Sequence, residues 1–273
     1  MELPRAAAGL PELVPSFWHT VDEGLGRIPL TLTPAARAAI DAHMRLLCAW
    51  NAHINLTALR SPEQMARGHV LDALICVPAL RDLAPAAGPA PSVCELGSGG
   101  GFPGLPLAFT LPAGRAVLVD SIAKKADFLG HAIRAARTAA EAAGGKPPAV
   151  AARAGRAEVM ADEPDQREAW DLVVARAVGS VAEVAELGLP LARHGGHVVV
   201  LKRDAGDGAL DDEIARAAPI AEAAGGARPR IVRLAAAEGV GLVGHCLVVI
   251  DKRRTTPPHF PRPPGERRRA ALA

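Results

Sequence analysis

The chain has 273 residues, a formal net charge of +2 at pH 7 and 49% hydrophobic residues. This length allows one large α/β domain with an additional segment, and it allows a substantial core without disulfides. The four cysteines lie far apart and form no C-x-x-C pair, so neither a disulfide framework nor a metal site is predicted. No apolar run approaches a membrane span and no stretch resembles a signal peptide, so we expect a soluble, cytosolic protein.

The amino-terminal part of the chain is predicted to be an irregular lead-in followed by helices. Residues 1–30 mix Pro, Gly and Ala with scattered apolar positions, and we interpret them as a loosely structured lead-in. A helical extension is predicted over residues 31–84, because Thr33 and Ser61 each precede a proline and are typical N-caps. The position three residues after Ser61 is a glutamine, which completes a capping-box pattern.

A Pro/Gly/Ala-rich linker is predicted from Pro85 to Pro91, and a domain over residues 92–254 follows it. Short apolar runs alternate there with helical segments, which is typical of a parallel sheet with crossover helices. A seven-stranded, mostly parallel sheet is predicted, with an antiparallel last strand. The predicted strands are Ser92–Glu95, Ala116–Asp120, Ala149–Arg153, Leu172–Ala175, His197–Lys202, Ile231–Leu234 and Cys246–Asp251. Helices are predicted around residues 123–143, 181–192 and 209–224.

Residues 255–273 form a basic, Pro-rich tail. Basic residues crowd this region and the end of the last strand: Lys252, Arg253, Arg254, Arg262, Arg267, Arg268 and Arg269. Two interpretations remain open, a solvated irregular tail and an arm that contacts RNA. The chain has no Tyr and five Phe, so stacking of bases on many aromatic side chains is not expected.

A glycine-rich loop follows the first strand and reads Glu-Leu-Gly-Ser-Gly-Gly-Gly-Phe-Pro-Gly from Glu95 to Gly104. Such a loop lets backbone N–H groups approach a nucleotide-like cofactor. Gly99, Gly101 and Gly104 also satisfy the dinucleotide fingerprint, which is weak when it occurs alone. The charge of Glu95 would repel a pyrophosphate, whereas it would attract the ammonium and sulfonium groups of S-adenosylmethionine. Asp120, at the end of the second strand, suits ribose hydroxyls in either cofactor class.

The motifs expected for some methyl acceptors are absent. Enzymes that methylate exocyclic amino groups typically carry an Asn/Asp-Pro-Pro-aromatic turn after the fourth strand, where this chain has Ala-Arg-Ala-Val from Ala175 to Val178. Methylation of a pyrimidine carbon needs a cysteine nucleophile, but Cys94 and Cys246 are predicted to lie inside strands. A ring nitrogen such as guanine N7 presents a lone pair and no proton. Positioning can then supply much of the catalysis, and no dedicated catalytic residue is assigned.

Several separated motifs between about Trp50 and Gly265 occur together in one known family. They are Trp50-Asn51, Asn55-Leu56-Thr57, His69-x-x-Asp72, the Gly97–Pro106 loop, Asp120-Ser121 with Lys124-Lys125 and Phe128-Leu129, Arg156-Ala157-Glu158, Arg176-Ala177, Leu201-Lys202, and Pro257 to Gly265. In these motifs the chain resembles the RsmG (GidB) family of 16S ribosomal RNA guanine-N7 methyltransferases.

The resemblance implies a class I S-adenosylmethionine-dependent methyltransferase with a Rossmann-like sheet. It further implies that the substrate is a guanosine in the decoding region of 16S ribosomal RNA, as free RNA or in the small subunit, and that the protein is a monomer without membrane association. Two other hypotheses stay open, a nicotinamide-dependent oxidoreductase and an inactive RNA-binding protein with a methyltransferase fold.

The resemblance also assigns site residues. Cofactor-binding positions would be Gly97, Gly99, Phe102, Asp120, Ala157, Glu158 and Arg176. Candidates for positioning the substrate are Asn55, His69, Asp72 and Lys202. Lys124, Lys125 and Lys202 could meet phosphate. For His69 and Asp72, a simple hydrogen bond between the two side chains is the open alternative. The family often has arginine where this chain has His245.

Overall fold

The computed structural model describes residues 3–84, 90–111 and 114–267. The predicted linker lies outside these residues except for Ala90 and Pro91, and Arg268 and Arg269 also lie outside them. Within the described ranges, no helix combines the length and the apolar character that crossing a membrane requires.

Seven strands of the described chain form one sheet in the order β3-β2-β1-β4-β5-β7-β6. They are β1 (Ser92–Leu96), β2 (Arg115–Asp120), β3 (Ala149–Ala154), β4 (Trp170–Arg176), β5 (Ala192–Arg203), β6 (Arg230–Arg233) and β7 (His245–Asp251). Neighbouring strands from β3 to β5 are parallel, and β7 runs antiparallel to β5 and β6. The predicted fold class is confirmed.

Helices cover both faces of this sheet. They are α1 (Pro15–Leu25), α2 (Pro34–Asn51), α3 (Pro62–Met65), α4 (Asp72–Leu74), α5 (Val77–Leu83), α6 (Gly104–Thr110), α7 (Ala123–Ala142), α8 (Ala157–Ala161), α9 (Val181–Gly188) and α10 (Ala209–Ala223), with a π-helical segment (Ala66–Leu71) and a 3₁₀ turn (Glu238–Val240). Because side chains alternate along a strand, Val93 belongs to one core and Cys94 to the other. The first core includes residues of α1, α2, α6 and α7, and the second includes residues of α8, α9 and α10.

The lead-in predicted to be loosely structured contains α1, so the prediction is wrong for Pro15–Leu25. Phe17 and Val21 lie one turn apart on this helix and are fully buried in the first core. The N-cap position is Val14, whose side chain makes no capping hydrogen bond, and the first turn has no acidic residue. Pro15 at the first helical position is a start signal, but no capping side chain accompanies it, and burial of the apolar face stabilises the helix.

The two predicted helix starts in the extension are confirmed. Thr33 Oγ1 accepts a hydrogen bond from the N–H of Ala36 at 3.2 Å. Ser61 and Gln64 form a reciprocal capping box at the start of α3. The helix that begins there widens into the π-helical segment Ala66–Leu71 and continues as α4. Such π-helical insertions are frequent at functional sites.

Candidate cofactor and substrate site

The carboxyl ends of β1 and β4 define the site. The chain continues from β1 to β2 and β3 on one side, and then returns to form β4 on the other side of β1. In parallel α/β sheets this reversal of strand order opens a crevice at the carboxyl ends, where ligands bind. The glycine loop follows β1, Asp120 ends β2 and Arg176 ends β4, so the topology brings the predicted site segments together.

The glycine loop has a backbone that side chains would disturb. Gly97 has φ +67° and Gly101 has φ +88°, a left-handed region that favours glycine. A Cβ at Gly97 would lie 2.6 Å from Val178 Cγ2, and one at Gly101 would lie 2.9 Å from His43 Nε2. Both spacings are too short for a real side chain, so the loop requires glycine at these two positions.

Asp120 joins the loop to the second strand. Its Oδ2 accepts a hydrogen bond from Gly99 N at 2.8 Å, and its Oδ1 accepts one from Ile122 N at 2.8 Å. A carboxylate has about four acceptor positions, so each oxygen keeps capacity for a further donor. Asp120 therefore holds the loop in place, and its predicted bond to a ribose stays a prediction.

A cavity of 300 Å³ opens between the ends of β1, β2, β3 and β4. Its lining includes Gly97, Ser121, Ala157, Glu158, Val178, Pro264 and Arg267. The volume lies at the lower end of the roughly 300–1,000 Å³ range of small-molecule sites. The structure thus brings together three predicted cofactor positions, Gly97, Ala157 and Glu158. Apolar and polar side chains both line this cavity.

Arg176 holds together a group of polar side chains at the carboxyl end of β4, and the part of the crevice next to this group is hereafter called the cleft. Its Nη1 donates to Asp72 Oδ2 at 2.7 Å and to the carbonyl of Gly68 at 2.9 Å. Its Nη2 donates to His69 Nδ1 at 3.3 Å, and its guanidinium lies 5.8 Å from the centre of the Phe102 ring. Arg176 therefore lies between His69 and Asp72, and the alternative of a simple bond between those two side chains is not what the structure shows.

Asp72 is bound through both carboxylate oxygens. In addition to the contact with Arg176, His245 Nδ1 donates to Asp72 Oδ1 at 2.7 Å. Burial raises the pKa of Asp72, but the hydrogen bond from His245 and the charge and hydrogen bond of Arg176 outweigh it and hold the pKa below its ordinary value. Asp72 is thus a charged, buried anchor. His245 is part of this cluster.

Phe102 lies between two histidine rings. Its ring centroid is 4.4 Å from that of His69 and 4.6 Å from that of His43. Burial lowers the pKa of His69 to about 3, with further contributions from Arg176 and His43, and burial lowers the pKa of His43 to about 4. Both rings are neutral at pH 7. Because Nδ1 of His69 accepts from Arg176, its Nε2 carries the proton and donates to Thr57 Oγ1 at 2.7 Å.

His43 is a site residue that sequence analysis did not identify. Its Nε2 donates to the carbonyl of Gly100 at 2.7 Å, which ties α2 to the glycine loop. Its Nδ1 is buried without a hydrogen-bond partner in the described structure. The available signal was a histidine four residues before Leu47 on the apolar face of α2.

Glu95 occupies a different place from the one predicted. Its side chain is buried and is not among the residues that line the cavity. Oε1 accepts from Gly104 N at 2.9 Å, so Glu95 caps the start of α6. Burial raises the pKa of this carboxyl to about 7, although hydrogen bonds from Ser98 and Gly104 partly offset it. Because Glu95 does not line the cavity, the structure gives no support to the predicted attraction between its charge and a cationic group of the cofactor.

The remaining candidates are not among the residues that line the 300 Å³ cavity. Lys202 Nζ pairs with Glu213 Oε1 at 2.7 Å and donates to the carbonyl of Gly179 at 3.4 Å. Asn55 is exposed in the loop after α2, whereas Asn51 orders that loop through hydrogen bonds with Leu56 and Thr57. Lys124 and Lys125 lie in the first turn of α7, exposed and half-buried respectively.

Cys94 and Cys246 are not arranged as nucleophiles. Cys94 lies inside β1 and Cys246 inside β7, and both are buried. Burial raises the pKa of both thiols, so neither forms a thiolate near pH 7. The prediction that neither of these two cysteines is placed to attack a pyrimidine carbon agrees with this geometry.

Comparison with known proteins gives consistent matches. The family model described as "GidB: rRNA small subunit methyltransferase G" matches residues 36–218. The ribosomal RNA small subunit methyltransferase G of Roseiflexus castenholzii is 36% identical over 220 residues, covering 80% of this chain and 84% of that protein. The protein of the same name from Moorella thermoacetica is 34% identical over 236 residues, covering 86% of this chain and 90% of that protein.

Solved structures with a similar arrangement have low sequence identity. Fibrillarin from Aeropyrum pernix, in complex with S-adenosyl-L-methionine, is 14% identical with a TM-score of 0.44, covering 63% of this chain and 73% of that chain. Geranyl diphosphate C-methyltransferase from Streptomyces coelicolor is 15% identical with a TM-score of 0.43, covering 72% of this chain and 86% of that chain.

Proposed function

The chain belongs to the rRNA small subunit methyltransferase G (GidB) family, and on this premise we propose that it methylates N7 of a guanosine in 16S ribosomal RNA, in the decoding region. S-adenosylmethionine is the cofactor in this proposal, and the protein acts as a monomer. The observation that carries the proposal is that the 300 Å³ cavity, which Gly97 lines, and the Arg176–Asp72 pair both lie at the carboxyl ends of β1 and β4.

The residues around the cavity fit the nucleoside part of the cofactor. Gly97 places no side chain in the cavity, and Ala157 and Glu158 border the space where a base would lie. Asp120, buried at the end of β2, retains acceptor capacity for ribose hydroxyls, and Phe102 is buried between the rings of His43 and His69. When bound, S-adenosylmethionine supplies an electrophilic methyl group. The chain's own residues have the task of holding the acceptor nitrogen in line with it.

The polar groups of the cleft are suited to positioning rather than to proton transfer. His69 uses both ring nitrogens in hydrogen bonds, and both oxygens of Asp72 are bound. Guanine N7 has no proton to remove, so the lack of an available base among these side chains is compatible with this acceptor. Arg176 and Asp72 neutralise each other, which suits a transfer that moves positive charge from sulfonium to base without creating new charge.

Substrate RNA would approach from the open side of the cleft. Asn55 is exposed in the loop after α2, and Lys124 and Lys125 lie in the first turn of α7. Lys202 is paired with Glu213, so a phosphate would have to compete with that carboxylate. We therefore assign phosphate contacts first to Lys124 and Lys125 and secondarily to Lys202.

Two measurements test this proposal against the alternatives. Calorimetry with S-adenosylhomocysteine and with NAD identifies the cofactor class, and we expect binding of the first only. Transfer of labelled methyl groups to 16S RNA, both free and in small subunits, then tests activity. Binding of NAD alone would indicate an oxidoreductase. Binding of S-adenosylhomocysteine without methyl transfer to either RNA form would indicate an inactive RNA-binding protein.

A further inference from the structure

The segment after β7 folds back across the face of the sheet that carries α8, α9 and α10. Phe260 in this segment is buried in the second core. Arg167 fixes the segment from the side, because its two terminal nitrogens donate to the carbonyls of Thr256, Pro257 and Phe260 at 3.1 to 3.2 Å. These contacts give residues 252–267, hereafter the carboxyl-terminal segment, a defined path.

A buried ion pair continues this path. Arg262 donates through Nε to Glu186 Oε1 at 2.8 Å and through Nη2 to Glu186 Oε2 at 2.7 Å. The backbone N–H of Arg262 also donates to Glu186 Oε1 at 2.8 Å, and Glu186 is only 1% exposed. Bidentate arginine–carboxylate pairs are strong and fix geometry. The chain after Arg262 is thereby directed toward the 300 Å³ cavity.

The segment ends on the cavity itself. Pro264 and Arg267 line it, opposite residues from the ends of β1 and β2. Arg267 Nη2 donates to Glu158 Oε1 at 3.1 Å, and Nη1 donates to the carbonyl of Arg262 at 2.7 Å. Arg156 also approaches Glu158, but at 3.9 Å and with 68% of its side chain exposed, against 10% for Arg267. Arg267 is therefore the main charged partner of Glu158.

The basic residues of this segment are engaged within the protein. Lys252 pairs with Glu168, Arg253 with Asp251, Arg254 with the carbonyl of Glu222, Arg262 with Glu186 and Arg267 with Glu158. Their charges are directed to neighbouring acidic side chains and to a helix end. Lys252, Arg262 and Arg267 are mostly shielded from solvent, so a solvated irregular tail does not describe these three residues, whereas Arg253 and Arg254 are exposed. Contact of the tail with RNA stays a prediction.

We propose that the end of the carboxyl-terminal segment, from Pro264 to Arg267, is a wall of the cofactor cavity and that Arg267 is a positioning residue for Glu158. This inference rests on the proposed function, because it assigns the nucleoside half of S-adenosylmethionine to this cavity. Without Arg267, the Glu158 carboxylate would turn toward solvent and toward Arg156. With Arg267, the carboxylate is held at the cavity, and Pro264 with the arginine stem supplies apolar surface beside it.

The test compares Arg267→Ala, Arg267→Lys and a matched control, Arg253→Ala, in the full chain. Arg253 belongs to the same segment and also forms an ion pair with Asp251. It follows the carboxyl end of the antiparallel strand β7, where Asp251 pairs with His197 of β5, and it does not line the cavity. We expect the Kd of S-adenosylhomocysteine and the KM of S-adenosylmethionine to rise about tenfold for Arg267→Ala. Arg267→Lys should recover most of this loss, and kcat and the KM for RNA should change little.

A double-mutant cycle with Glu158→Gln separates positioning from folding. If Arg267 acts through Glu158, the two substitutions together weaken binding about as much as either alone. Additive effects, an unchanged Kd for Arg267→Ala, or tighter binding would each overturn the inference, and a rise confined to the KM for RNA would restore the RNA-arm interpretation. Failure of the unsubstituted protein to bind S-adenosylhomocysteine would instead overturn the proposed function.

Discussion

Asp72 Oδ2 lies 2.7 Å from Arg176 Nη1, although 104 positions separate the two residues in the sequence. The pair joins the amino-terminal helical extension to the carboxyl end of β4. Arg176 also reaches the carbonyl of Gly68, in the π-helical segment, at 2.9 Å. The substrate side of the site is therefore assembled only when the extension is docked on the sheet.

Asp72→Asn should impair RNA methylation more than cofactor binding. The substitution removes the charge that Arg176 and His245 share, so both side chains lose their fixed positions. We expect kcat/KM for RNA to fall about tenfold or more and the free energy of unfolding to fall by about 1–3 kcal/mol. The Kd of S-adenosylhomocysteine should change by less than about threefold.

The matched control for this change is Asp22→Asn, which breaks an Asp–Arg pair with Arg37 on the surface of α1. Both side chains of that pair are largely exposed, at 50% and 40%. Exposed pairs contribute about 0–1 kcal/mol. Equal losses of activity for the two variants would show that Asp72 has no special role in the cleft.

Gly97→Arg should abolish cofactor binding. The residue has φ +67°, lines the cavity, and has Val178 2.6 Å from where its Cβ would lie. Gly144→Arg is a suitable control, because Gly144 has φ +78° and open space around the Cβ position, in the turn after α7. Calorimetry should show normal binding of S-adenosylhomocysteine for Gly144→Arg only. Near-normal affinity in a folded Gly97→Arg protein would place the cofactor elsewhere.

The buried His43 should make the protein less stable in mild acid. The unfolded chain protonates this ring below its ordinary pKa of 6.5, whereas the folded chain does so only near its lowered pKa of about 4. Because the unfolded state then binds more protons, the free energy of unfolding falls as pH drops from 6.5 toward 4, by about 3 kcal/mol for this side chain.

Urea unfolding at pH 7 and pH 5 measures this dependence. His43→Gln keeps a donor for the carbonyl of Gly100 but has no titrating ring, so the loss of stability between the two pH values should become smaller. His19→Gln is the control, since the His19 side chain is 74% exposed. An unchanged pH dependence in His43→Gln would show that His43 is not neutral in the folded protein.

Local patterns were sufficient to predict the sheet and the cofactor loop. All seven predicted strands occur. Short apolar runs such as those of β1 and β4 indicate burial on both faces of a parallel sheet, whereas β3 and β6 at the two edges are only partly buried. Gly97 lies at the end of β1 and Arg176 at the end of β4, as expected. In contrast, α1 lacks a capping side chain, and its packing against the first core stabilises it together with polar contacts to α2 such as that of Trp18 with Asp41.

Long-range contacts explain what the sequence did not predict. The contact between Arg267 and Glu158 joins residues 109 positions apart, and no periodicity records it. The role of His43 likewise depends on the approach of Gly100, from a loop 57 positions away. Glu95 resembles a residue that faces the cofactor, but the turn of the chain at Gly104 directs its carboxylate to α6.

The most direct test of the central claim is the identity of the methylated atom. Purified protein would be incubated with labelled S-adenosylmethionine and 16S RNA, and the product treated with mild reductant and aniline, which cleave the strand at N7-methylguanosine. We predict that the label enters RNA and that cleavage occurs at a single guanosine of the decoding region. Labelled RNA that resists this cleavage and digests to an exocyclic or carbon-methylated nucleoside would contradict the account.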